Sequence, residues 1–153
     1  MNALIDNPFL ITGYESPEYF CDRDAETKDL METLRNGRNI TLISPRRMGK
    51  SALIKHAYYQ LGREDAAIKT IYIDLYPTES LYDFTKTFAL AVLGQLDSVG
   101  SEGHTLEQVF SYLKSVERTC YIALDEFQQI GNYPEKNIEA LHEFIYGKYY
   151  PAN

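Results

Sequence analysis

At 153 residues, with 44% apolar and 24% charged content, the chain has room for one ordinary core and a composition that is globular rather than disordered. Its formal net charge of −7 argues against a surface built for polyanions, so nucleic acid is not the first partner to expect. Cys21 and Cys120 lie far apart and in no C-x-x-C pair, which excludes a disulfide scaffold or zinc site as a reading, and no stretch approaches the roughly 18 apolar residues of a membrane span.

Residues 1–21 mix Pro8, Gly13 and Pro17 with aromatic and aliphatic side chains, a pattern that predicts an extended arm rather than a helix. The first residues also lack the basic and apolar regions of a signal peptide, so the expected location is cytoplasmic. From a capping Asp22 or Asp24, residues 25–36 place Leu30, Met31 and Leu34 on one helical face and stop at Gly37. Residues 39–43 read as a strand, and a helix is expected from Lys50 to Leu61, ending at Gly62. Ile71, Ile73 and Leu75 alternate with Tyr72 and Asp74, which predicts a strand over 68–76 closed by Pro77.

Ser80 with Asp83 resembles a capping box ahead of Leu81, Phe84, Phe88, Val92 and Leu96 at helical spacing. Residues 97–104 are small and polar and read as a flexible connection. Thr105 with Gln108 caps the next helix, and 119–124 form a mostly apolar run that suits a strand buried on both faces of a parallel sheet. A last helix is expected over about 135–146. Alternating strands and helices predict a single α/β domain over 1–153, with a parallel sheet, right-handed crossovers and ligand sites at the carboxyl ends of the strands.

The stretch Ser44-Pro45-Arg46-Arg47-Met48-Gly49-Lys50-Ser51-Ala52 has the layout of a phosphate-binding loop. A helix N-terminus carries unpaired N–H groups and partial positive charge, so phosphates can sit on it. Gly49 allows close backbone approach, Lys50 supplies a mobile charge and the Ser51 hydroxyl can ligate Mg²⁺. Ser44 stands where the motif has its first glycine, and Pro45 biases it to stay extended. Arg46 and Arg47 have two readings of equal weight, contact with phosphates or exposed loop arginines paired locally.

Independently, the apolar run ends in Asp125-Glu126, two carboxylates at the carboxyl end of a strand. That position suits Asp125 as a metal-linked acid and Glu126 as a base for water. Asp74 ends another strand and is a candidate to assist. His56, His104 and His142 read as structural or exposed, and Tyr146 stands where a zincin pattern starting at His142-Glu143 needs its second histidine. The 13 tyrosines, scattered in an acidic chain, read as packing residues rather than base-stacking platforms.

The loop through Ser51, the segment Tyr19-Phe20-Cys21-Asp22-Arg23-Asp24-Ala25-Glu26 and the run Ile122-Ala123-Leu124-Asp125-Glu126-Phe127 together resemble the AAA-type P-loop ATPases of bacteria and archaea, close to the STAND-like ATPases. The resemblance covers most of 8–141. It implies a three-layer αβα P-loop fold, ATP and Mg²⁺ as ligands, and slow ATP hydrolysis. In its terms Pro45, Arg46, Arg47, Met48, Gly49, Lys50, Ser51 and Ala52 bind nucleotide, Ser51 and Asp125 hold the metal, and Lys50 and Glu126 are catalytic. The segment 20–23 is expected near the adenine. In the family a further strand with a polar sensor residue lies between the P-loop strand and the Walker B strand. The sequence ends at Asn153 before any such strand, so the expected core is incomplete, with either a gap or a different strand order. Two other readings stand beside an ATPase: a nucleotide-gated or structural module without turnover, with a protein partner or self-association, and, more weakly, a small-molecule kinase.

Overall fold

The computed structural model describes residues 17, 23–43, 45, 48–95 and 105–134. The expectations for the arm, for Ser44, Arg46 and Arg47, for the connection at 97–104 and for the last helix therefore fall outside the described residues, as do Cys21, Leu96, His104 and His142. Two compact units are present, one comprising Met1–Thr70 and Arg118–Tyr121, the other Ile71–Glu117 and Ile122–Asn153.

In the first unit, helix α1 spans Asp24–Arg35 and α2 spans Lys50–Glu64, and the two pack on each other. The N-cap of α1 is Arg23, so Asp24 is its first helical residue rather than the expected cap. Its end follows the expectation closely. Gly37 sits at φ 68°, with its N–H donating to the Leu34 carbonyl and that of Arg38 to Thr33, the paired bonds of a Schellman motif. Helix α2 runs three residues past its expected stop, through Gly62. Arg63 lies over the Tyr59 ring and Glu64 forms an ion pair with Arg35 of α1, so two contacts one turn further on offset the roughly 1 kcal/mol cost of a helical glycine. Leu30, Met31, Leu53, Ala57, Tyr58 and Leu61 are buried, and burial raises the Tyr58 phenol well above its usual value.

Residues 39–43 carry no strand, contrary to the sequence reading. Ile43 is 90% exposed and Leu42 37% exposed. A β-branched run becomes a strand only when a neighbouring backbone completes its ladder, and among the described residues the one sheet is the pair β1 (Lys69–Asp74) and β2 (Cys120–Asp125). Lys69 N–H donates to Thr119 C=O and Leu75 N–H to Asp125 C=O, at the same sequence offset, which makes the pair parallel. β2 departs from expectation in burial, since all six of its residues are half-buried rather than enclosed on both faces. Its first residue, Cys120, is a free thiol that burial shifts upward, with Arg118 and Lys69 pulling the other way.

The second unit holds the larger core. The alternation of β1 buries Ile71 and Ile73, with Leu75 just beyond, against helix α3 (Leu81–Gln95) and helix α4 (Leu106–Ser115). Phe84 and Phe88 stack at 5.8 Å and Phe88 meets Phe110 at 5.2 Å, which ties α3 to α4. Thr105 with Gln108 makes a complete capping box, whereas at α3 Ser80 Oγ accepts from Asp83 N–H but the Asp83 carboxylate accepts from Glu79 N–H at 3.1 Å rather than from Ser80.

Candidate functional site

One candidate region is the start of α2. Gly49 is its N-cap, in the left-handed region at φ 71° and ψ 21°, and its carbonyl accepts the first helical bond from Leu53 N–H. A residue with a Cβ is strained there, which is the local reason for glycine. Lys50, Ser51 and Ala52 form the first turn, all half-buried, while Pro45 and Met48 are exposed. Helices α1, α3 and α4 each carry an acidic residue in their first turn, whereas α2 carries none, and its glycine cap brings no side chain to the first N–H groups. A first turn without acidic side chains and a glycine cap are compatible with phosphate at the positive end of α2.

Arg23 adds a contact that the sequence did not signal. Its Nη1 donates to the Met48 carbonyl at 2.9 Å, immediately before Gly49, and its Nε and Nη2 both donate to Glu26 Oε1 at 3.2 Å. The family-based expectation puts the segment 20–23 near the adenine; of that segment only Arg23 is described, and its guanidinium holds loop backbone.

A separate candidate region is the end of β2. Asp125 has both carboxylate oxygens engaged: Oδ1 accepts from Glu126 N–H at 2.9 Å, and Oδ2 accepts from the Tyr72 hydroxyl on the neighbouring strand. Glu126 is in the left-handed region at φ 53°, an uncommon state for a residue with a side chain and a strain of about 1–2 kcal/mol. What holds it there is the segment that follows, a 3-10 helix over Phe127–Asn132. Ile130 and Tyr133 are buried, and Gln129 Nε2 donates to Thr78 C=O at 3.0 Å. Thr78, itself 2% exposed, spends its one hydroxyl hydrogen on the Leu75 carbonyl at 2.6 Å, so in its contact with Tyr133 the tyrosine donates. The Glu126 carboxylate accepts from the side chain of Gln128 two residues on.

Asp74 faces solvent and accepts from Tyr76 N–H at 2.9 Å, a local turn bond. Tyr72 was missed as a site residue because its position reads as the outward side of an alternating strand. The reach of a phenol across a parallel ladder only becomes visible once the partner strand is known.

The sequence model of the AAA domain family matches residues 32–148, more than half of the chain, including the loop, both strands and Asp125-Glu126. The chain belongs to the AAA domain family. An AAA domain is a nucleotide-binding, P-loop ATPase-like domain with the P-loop fold, and the helices and small parallel sheet seen here accord with that α/β class. No curated protein and no solved structure matches the chain. Among the described residues of this AAA domain, no group of three or more His, Cys, Asp or Glu side chains is able to hold a metal ion, and no helix is long and apolar enough to cross a membrane. A protein cage is not what Mg²⁺ needs in a P-loop site, where one or two protein oxygens share the ion with phosphates and water. Ser51 and Asp125 each carry an oxygen of the kind that chemistry uses.

Proposed function

We propose that this AAA domain binds Mg²⁺–ATP and hydrolyses it slowly. The observation that carries the reading is Gly49 in the left-handed state capping a 15-residue helix that begins Lys50-Ser51, within a chain of the AAA family. In this reading Pro45, Arg46, Arg47, Met48, Gly49 and Ala52 surround the phosphates, and Lys50 Nζ neutralises charge on the outer ones. Ser51 and Asp125 are the residues that would offer oxygens to Mg²⁺. Mg²⁺ supplies charge neutralisation on the phosphate oxygens. Glu126 takes the proton of the attacking water. Phosphoryl transfer depends mostly on positioning and charge, the contributions these residues would make.

Calorimetric titration with Mg²⁺–ATP tests the binding half. The unaltered chain should bind and Lys50→Ala should bind at least tenfold more weakly, a loss of about 1.4 kcal/mol. Equal affinities would remove the loop from the reading. A second function, nucleotide binding without turnover, is favoured by one observation: the Glu126 carboxylate is engaged by Gln128, which competes with any water for its lone pairs. Phosphate release discriminates the two. Hydrolysis that Glu126→Gln abolishes supports the ATPase, whereas no release by either chain leaves a nucleotide-gated module, with a protein partner or self-association as its output.

A further inference from the structure

The geometry points to Arg23 as a positioning residue for the phosphate loop: a latch that holds the Met48 carbonyl and thereby fixes the left-handed turn at Gly49. The inference rests on the nucleotide reading above and deepens it.

Three observations converge. Arg23 Nη1 donates to the Met48 carbonyl at 2.9 Å, across 25 residues of sequence, so the contact is tertiary and not a by-product of local helix geometry. Second, a Cβ built on Gly49 would lie 3.3 Å from that same nitrogen, tighter than ordinary contact, so the glycine leaves room for the guanidinium as well as adopting φ 71°. Third, the guanidinium is itself aimed. Its Nε and Nη2 converge on Glu26 Oε1, and both residues sit at the start of α1, with Arg23 as N-cap and Glu26 in the first turn. The side chains of Arg23 and Glu26 are 31% and 53% exposed, so their ion pair adds little stability through screened charge. Its value is directional: it fixes the plane of a fork whose remaining arm reaches the loop.

The mechanical consequence follows from the position of Met48. The Met48 carbonyl and the Gly49 N–H belong to one peptide plane immediately before the cap, so holding the carbonyl fixes where that N–H points and how the chain enters the helix. An unlatched loop samples other orientations, and each costs phosphate affinity because preorganisation is lost. Arginine at this site contributes by shape. Lysine keeps the charge but has no planar fork to engage Glu26 and the carbonyl together.

The test separates a loop latch from a contact with the base. Affinities for Mg²⁺–ATP and for inorganic tripolyphosphate are measured for the unaltered chain, Arg23→Ala and Arg23→Lys. A latch predicts that both ligands weaken by the same factor, about tenfold for the loss of one charge-assisted hydrogen bond, with lysine giving little rescue. Tripolyphosphate affinity unchanged while ATP affinity falls overturns the proposal and places Arg23 on the base. Amide hydrogen exchange of the ligand-free chain supplies an arm independent of any nucleotide: the Gly49, Lys50 and Ser51 amides should exchange faster in Arg23→Ala while α3 and α4 do not change. Unchanged loop exchange overturns the latch, whereas no Mg²⁺–ATP binding by the unaltered chain overturns the nucleotide reading, so the two failures are read separately. Should Arg23→Ala not fold, Arg23→Lys carries both arms.

Discussion

Tyr72 on β1 donates its phenolic hydrogen to Asp125 at the end of β2. The contact turns the acid of the candidate site into a carboxylate with a fixed plane, because its other oxygen already accepts from Glu126 N–H. A Tyr72→Phe substitution removes the donor without changing ring packing. We expect a stability loss of about 1 kcal/mol and a coupling of at least about 0.5 kcal/mol with Asp125→Asn in a double-mutant cycle followed by denaturant unfolding. Additive single effects would mean that the pair does not interact energetically.

The two left-handed glycines separate strain from function. Gly37 ends α1 with nothing within 4 Å of a built Cβ, whereas Gly49 at φ 71° has Arg23 at 3.3 Å. Gly37→Ala should therefore cost about 1 kcal/mol in unfolding free energy and leave ligand affinity unchanged. Gly49→Ala should in addition weaken Mg²⁺–ATP binding, by titration, at least as much as Arg23→Ala does.

Packing of the second unit rests on α3. Phe84 is fully buried and stacked on Phe88. Phe84→Ala should cost about 3–5 kcal/mol in urea unfolding, since the ring is lost and a cavity lined by other apolar side chains remains. A loss below about 1 kcal/mol would mean that the site collapses around the smaller residue.

The pH profile should carry the signature of His56. This imidazole is buried in α2, and burial lowers its pKa from 6.5, with Asp24 acting in the opposite direction. The amide nitrogen of Gln60 lies 3.5 Å from its Nε2, and an amide N–H only donates, so that ring nitrogen faces it as an acceptor. A histidine whose folded pKa is depressed takes up its proton first in the unfolded chain. Stability from this group is therefore full above about pH 6.5 and falls as pH drops through 6.5 towards the lowered folded value. Thermal midpoints recorded between about pH 7.5 and 5.5 should drop more steeply for the unaltered chain than for His56→Gln. Parallel slopes would exclude His56 as the source.

Much of this fold was legible in local sequence because the signals were local. Gly37 ended α1, Thr105 with Gln108 capped α4, and the alternation of Ile71, Ile73 and Leu75 gave β1 its buried face, each through contacts within a few residues. The glycine before Lys50 and Ser51 was readable as a place for close backbone approach, and its left-handed state came from the structure. Three features were not readable. Residues 39–43 have the composition of a strand but no ladder, because pairing is set by a distant backbone and not by side-chain type. The engagement of Asp125 by Tyr72 required the parallel register of two strands some 50 residues apart, and the hold of Arg23 on Met48 required α1 to pack on α2. Sequence alone marked the candidate residue types for phosphate and metal. Only the tertiary structure decided which neighbours aim them, since a hydrogen bond's direction depends on where two remote backbones come to lie.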